Sequence, residues 1–353
     1  MHLVEEARRL KPGATTINEK RSIFAEFVAF FNNAEIQSVT SVDINTRWRP
    51  AEYSRENGKH QGRATSLARL EKRRGYIHRL FAWAIQTGRY RGENPMAVAM
   101  AGKSEIRRHE KPYEEFTSDD IKLLFSEDYR QEMKAPDWYW TPLVAMYSGA
   151  RLSEIAHRKL DDFVEIEGYK VMLIPDAKTR GGRRTVPLHS DLLDLGFWQY
   201  VEALKARGCD RLFPHRPELK SEKMAGRSWS VWVKRRLKNG ANKSFHSIRS
   251  TVITDLHNRG ANAAAIHRVS GHTTTAVSGV HGKYVRSINL AVQAETIQVI
   301  KHEGLEPALL KLPDPEFKSY FDHHLSHLQA AEALRQRAAR RQVLINRSGA
   351  KTA

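Results

Sequence analysis

The chain has 353 residues, 41% of them hydrophobic, with a single cysteine, Cys209. This length can bury cores for two ordinary domains, and a lone cysteine excludes an internal disulfide and a multi-cysteine zinc site. Against 40 acidic residues stand 58 Lys and Arg, a formal charge of +18, which points first to polyanions, although acidic lipids and solvated basic faces share that signature.

The amino terminus, MHLVEEARRL, lacks an apolar core of signal-peptide length, and no run of 18 apolar residues occurs. A cytoplasmic chain with no membrane partner is expected. Ile23, Phe24, Phe27, Val28 and Phe31 recur at helical spacing and predict an amphipathic helix. Between Ser66 and Thr87, Leu67, Leu70, Ile77, Leu80, Phe81 and Ala84 form a second apolar stripe, with Lys72, Arg73, Arg74, His78 and Arg79 largely off it. Residues 1–110 hold 20 basic and 12 acidic residues, so this positive ridge is as suited to phosphate as to solvent. Lys72, Arg73, Arg74 and Arg79 are its candidate contacts.

The stretch from Ala101 to Phe116, AGKSEIRRHEKPYEEF, is charged and aperiodic and reads as an interdomain linker. Thr117, followed by Ser118, Asp119, Asp120 and the apolar Ile121, Leu123, Leu124 and Phe125, is a capped helix start that opens a second domain. Helical sequence continues to Lys159. Tyr169 to Ile174 and Arg184 to Leu188 then predict two short strands, joined by a polar turn from Asp176 to Gly182. Helices resume from Ser190, and the Ala- and Arg-rich stretch Gln329 to Val343 predicts a basic helix. The expected fold is mainly α with a small β-sheet. It comprises a helical domain over residues 1–110, a mixed α/β domain over 111–304 and a basic helical extension over 305–353.

Four segments carry residues suited to phosphate chemistry. In Ser148-Gly149-Ala150-Arg151-Leu152-Ser153-Glu154-Ile155, a carboxylate three positions after an arginine can hold its planar, permanently charged fork in one orientation. Lys178-Thr179-Arg180-Gly181-Gly182 puts a flexible cation at the hairpin tip. Phe245-His246-Ser247-Ile248-Arg249 sets an imidazole and a guanidinium on one helix face, able to share a phosphate. Ser270-Gly271-His272 precedes Tyr284 by twelve residues, and a phenol there can attack phosphorus only if cations stabilise the developing charge. Taken singly, these are a helix-end salt bridge, a polar turn, a backbone-satisfied histidine and a surface tyrosine.

Their order within 134 positions resembles the tyrosine recombinase (phage integrase) family. The resemblance rests on SGARLSEI, KTRGGRRTVPL, FHSIRSTVITDL and SGHTTT with Tyr284, and spans roughly residues 117 to 300. Upstream, LFAWAIQTGRYRGENPMA is similar to the end of the family's core-binding domain. The resemblance implies a helical core-binding domain followed by a mixed α/β catalytic domain that breaks and rejoins DNA. By it Arg151, Arg249 and His272 hold the scissile phosphate, His246 assists proton transfer, and Lys178 protonates the departing 5′ oxygen. Tyr284 becomes the 3′-phosphotyrosine. Lys178 is preferred to Arg180, Arg183 and Arg184 for its Lys-Thr-then-Gly context, and Glu154 braces Arg151.

Such chemistry needs no cofactor or metal, and neither a G-x-x-x-x-G-K-[ST] loop nor an H-E-x-x-H pair occurs. His323, His324 and His327 with Asp322 read as a solvated cluster in preference to a metal site. The resemblance further implies double-stranded DNA at specific recombination sites as partner, a homotetramer on DNA, accessory directionality or DNA-bending proteins, and a nucleoid-associated location. The segment Ile288 to Ile300 is the candidate helix for donation to a neighbouring subunit, or else an ordinary core helix. A type IB topoisomerase and a DNA-binding regulator without catalysis remain the alternatives from the same residues.

Overall fold

A computed structural model describes residues 2, 3, 5, 14–56, 64–110, 113–175, 183–271 and 289–323. The chain divides into two compact units, Met1–Pro112 and Tyr113–Ala353.

The first unit is helical. Helix α1 spans Ala14–Phe30, a run of helical segments follows over Ser41–Asp43, Ile44–Trp48 and Arg49–Tyr53, and α2 spans Leu67–Gln86. Ser66 starts α2 by accepting a hydrogen bond from the Arg69 amide. The two apolar stripes meet in a core of Ile23, Phe27, Trp48, Leu70, Ile77 and Phe81, where the Phe27 and Phe81 rings pack edge to face with centroids 6.0 Å apart. The stretch expected as a bare linker contains helix α3, Lys103–His109. This helix has no apolar stripe to betray it. Its Glu105 carboxylate accepts from the Gly102 amide, and Arg107, Arg108 and His109 lie at its negative end.

In the second unit, α4 (Ser118–Leu124) begins at Thr117, whose hydroxyl accepts from the Asp120 amide while Asp120 accepts from Thr117. Next come α5 (Glu127–Glu132), α6 (Pro136–Met146) and α7 (Leu152–Ala156). Helix α6 is buried nearly all round, with Tyr139, Trp140, Leu143 and Val144 fully enclosed, so it is the central helix of the core and shows no amphipathic period.

Three antiparallel strands follow where two were expected: β1 (Phe163–Ile166), β2 (Tyr169–Ile174) and β3 (Arg184–Pro187), in that order across the sheet. The overlooked strand β1 pairs with β2 through a two-residue turn, Glu167-Gly168, with φ of 53° and 79°. That double positive φ suits the twist of a tight hairpin, but Glu at its first position hides the signal. Ile174 pairs with Arg184, so β3 begins on the arginine.

The remaining helices are α8 (Ser190–Asp194), α9 (Phe197–Ala206), α10 (Glu218–Arg236), α11 (Phe245–Asn258), α12 (Ala263–Ser270), α13 (Leu290–Gln298) and α14 (Pro307–Leu310). Helix α13 packs against α12 and β3 of its own chain, burying Ile297, with Ile300 buried just beyond its end. This is the core-helix alternative for the segment read as a donated helix. Leu305, Leu310, Phe317 and Phe321 belong to the same core, and the Tyr139 hydroxyl donates to the Leu310 carbonyl at 2.6 Å. The apolar core therefore runs well past residue 304. The basic helix expected over Gln329 to Val343 lies outside the described residues.

Candidate active site

Helix α6 ends at Tyr147, and Gly149, with φ of +62°, turns the chain away. The left-handed conformation favours glycine here, and the Gly149 carbonyl accepts a 2.6 Å hydrogen bond from Nη1 of Arg249. Two residues later Arg151 is the extended N-cap of α7, and Glu154, at the third helical position, accepts from its backbone amide at 2.8 Å. The same carboxylate takes Nη1 of Arg151 at 2.7 Å. Helical spacing thus brings Glu154 to Arg151 as the sequence implies.

What sequence reasoning missed is the second partner of Glu154. Arg184, whose side chain is 0% exposed, reaches it with Nη1 at 3.1 Å and Nη2 at 2.7 Å. Its Nε donates to the Val269 carbonyl near the end of α12, at 2.7 Å. In the sequence Arg184 takes the first place of a predicted strand beside several basic residues of the turn, but nothing local marks it as internal. With two guanidiniums and an amide around it, the Glu154 carboxyl is held down at about 2 even though its burial pushes the other way.

Helix α11 starts at Ser244, whose hydroxyl caps the His246 amide, and places His246 and Arg249 on one side of its first turn. Arg249 is buried, and desolvation together with the nearby Arg151 and Arg184 lowers its guanidinium to about 9. His246 also sits below its ordinary value, through partial desolvation and then Arg249 and Arg151. A cleft of about 380 Å³ joins these groups, lined by Arg151, Leu152, Gly226, Phe245, His246 and Arg249 among others. Groups held down by burial and by neighbouring cations, as Arg249 and His246 are, are relieved by an anion, and the planar forks of Arg151 and Arg249 suit a phosphate.

The structure therefore brings together Arg151, Glu154, His246 and Arg249. Lys178, His272 and Tyr284 lie outside the described residues. Among the described residues no group of His, Cys, Asp and Glu has the arrangement of a metal site. Asp322 pairs with Arg207 at 2.9 Å, and His324 and His327 are outside the described residues.

The basic ridge of α2 needs correction. Arg73 is internal, its Nε and Nη2 gripping Glu52 at 2.7 and 3.0 Å and Nη2 reaching Glu26 at 2.9 Å. Burial of two carboxylates against it recruits the guanidinium inward, which helix periodicity cannot foresee. Arg74 is largely enclosed by Glu71 and donates to the Met96 carbonyl. Lys72, paired with Glu19 at 2.8 Å, and Arg79, over the Tyr76 ring at 5.1 Å, remain exposed.

Residues 114–287 match the model of the phage integrase family. No curated protein sequence matches the chain. Among solved structures, the Tn1549 transposon integrase in complex with transposon right end DNA is similar at TM-score 0.53 and 15% identity, over 83% of this chain and 96% of that one. A lambda integrase dimer bound to a COC′ core site gives TM-score 0.51 at 15% identity, over 82% and 99%. The XerH site-specific recombinase bound to a palindromic difH substrate gives 0.53 at 17%, over 78% of each chain. At these identities the likeness is one of fold.

Proposed function

The chain belongs to the phage integrase family, and from that premise we propose that it is a site-specific recombinase joining double-stranded DNA through a 3′-phosphotyrosine at Tyr284. The observation that carries the reading is the convergence of Arg151, Arg249 and His246 on one cleft, with Glu154 and Arg184 beneath.

In this mechanism Arg151 and Arg249 take the non-bridging oxygens of the scissile phosphate, joined by His272. The desolvation and the neighbouring guanidiniums that hold Arg249 at about 9 are offset as negative charge accumulates on the phosphorane, so the site favours the transition state over the free cleft. The Tyr284 oxygen bonds to phosphorus as the bond to the 5′ oxygen breaks. The phenolic proton passes to His246, whose depressed pKa keeps its imidazole neutral and able to accept it at pH 7. Lys178 gives a proton to the departing 5′ oxygen. A 5′ hydroxyl from the partner duplex then reverses the attack, and because one phosphoester replaces another, no nucleotide triphosphate is consumed.

Exchange between two duplexes calls for four subunits, so we propose a homotetramer on specific DNA sites, with accessory directionality or DNA-bending proteins and a nucleoid location. Lys72 and Arg79 are the residues of the α2 ridge proposed to meet backbone phosphate.

The test is incubation of the full chain, without metal, with supercoiled plasmid carrying the DNA that flanks its own coding sequence. An SDS-resistant adduct that maps to Tyr284 and disappears in Tyr284→Phe, while DNA binding persists, is expected. Binding without any adduct would refute the recombinase in favour of a regulator, and relaxation of plasmids lacking those flanks would favour a topoisomerase.

A further inference from the structure

We infer that Arg184 is a positioning residue that locks three separate segments of the active site to one another, an inference that rests on the recombinase reading. The geometry is a divided fork. Both terminal nitrogens of Arg184 hold Glu154, and through it the N-cap residue Arg151, while Nε holds the Val269 carbonyl. Strand β3, which Arg184 itself opens, begins six residues after Lys178 in the sequence, and Val269 lies three residues before His272. One side chain thus ties the start of β3 to the N-cap of α7 and to the end of α12.

Gly271 shows how close the fit is. It ends α12 in the left-handed conformation, with φ of +66°, and a Cβ there would lie 2.6 Å from Nη1 and 2.9 Å from Cζ of Arg184. The glycine of the Ser-Gly-His motif is therefore needed for two reasons, its backbone angle and the guanidinium pressed against it. A lysine in place of Arg184 keeps the charge but cannot serve two carboxylate oxygens and a carbonyl in three fixed directions. If Arg184 were only a stabilising ion pair, its loss would lower stability without touching the behaviour of Arg151. A positioning role instead makes the two arginines interdependent at the anion site.

The experiment is a double-mutant cycle on the full-length protein with Arg184→Lys, Arg151→Ala and the pair combined. Two quantities are read: the affinity for inorganic phosphate, from its concentration-dependent thermal stabilisation, and the rate of adduct formation on the flanking-DNA plasmid. Arg184→Lys is expected to weaken phosphate binding and slow adduct formation by about tenfold, and the double variant to fall within about threefold of Arg151→Ala alone, as coupled sites do. Multiplied losses in the double variant would overturn the inference, as would an Arg184→Lys protein that binds phosphate and reacts like the parent. If Arg184→Lys does not fold, Glu154→Asp, which shortens the same bridge, replaces it in the cycle with the same expected coupling. Absence of any adduct from the parent protein, with phosphate coupling intact, would refute the recombinase reading and leave the positioning role of Arg184 standing.

Discussion

Glu154→Gln removes the carboxylate on which two guanidiniums and an amide converge while keeping the shape of the side chain. Glu154 is held at about 2 against an ordinary 4.5, and its side chain is 8% exposed, so solvent screening takes little from the effect. At about 1.4 kcal/mol per pKa unit, the depression corresponds to roughly 3 kcal/mol of stability. Because the folded pKa is the lower one, this contribution is fully present above pH 4.5 and is lost as pH falls toward 2. Thermal unfolding at pH 7 should show the variant melting about 6–12 °C lower, given 2–4 °C per kcal/mol for a unit of this size. Urea titrations at decreasing pH should show the difference between the two proteins falling to roughly half by pH 3. A variant less than about 1 kcal/mol weaker at pH 7, or a gap that does not narrow on acidification, would refute the account of Glu154 as a charged keystone.

Arg249→Ala should slow single-turnover cleavage by about 100- to 1000-fold, the usual loss on removing a preorganised donor, with DNA affinity little changed; a rate within threefold of the parent would remove Arg249 from the mechanism. The His246 imidazole, followed by NMR titration, should show a pKa below 6.5 that rises in Arg151→Ala. A depressed folded value means that the histidine opposes folding as pH drops below 6.5, and a pKa at or above that point in the parent would contradict the cationic site. Arg73→Met leaves Glu52 buried without its principal partner and should destabilise the amino-terminal unit by about 3–5 kcal/mol. Unchanged stability with weakened DNA binding would restore Arg73 to the phosphate-contacting ridge.

Local physics made much of this protein legible before any tertiary structure. The stripes of α1 and α2 follow from helical periodicity, the start of α4 from Thr117 and Asp120, and the pairing of Glu154 with Arg151 from a spacing of three on one helix. His246 and Arg249 share a helix face for the same reason. Where the decisive interactions join residues far apart in sequence, that legibility ends. Arg73 reads as part of a positive ridge, yet Glu52, 21 residues away, draws it inside. Arg184 reads as the first residue of a strand beside a basic turn, yet Glu154 and Val269, 30 and 85 residues away, draw it inside. Strand β1 and helix α3 were hidden for the opposite reason, because their own residues carry weak signals. Periodicity and capping act within one turn of helix or one hairpin, so sequence alone determined most of the elements and the order of the candidate residues. Which arginines are drawn inside was decided only when distant segments packed, because a guanidinium enters the interior where carboxylates and carbonyls from other elements satisfy it.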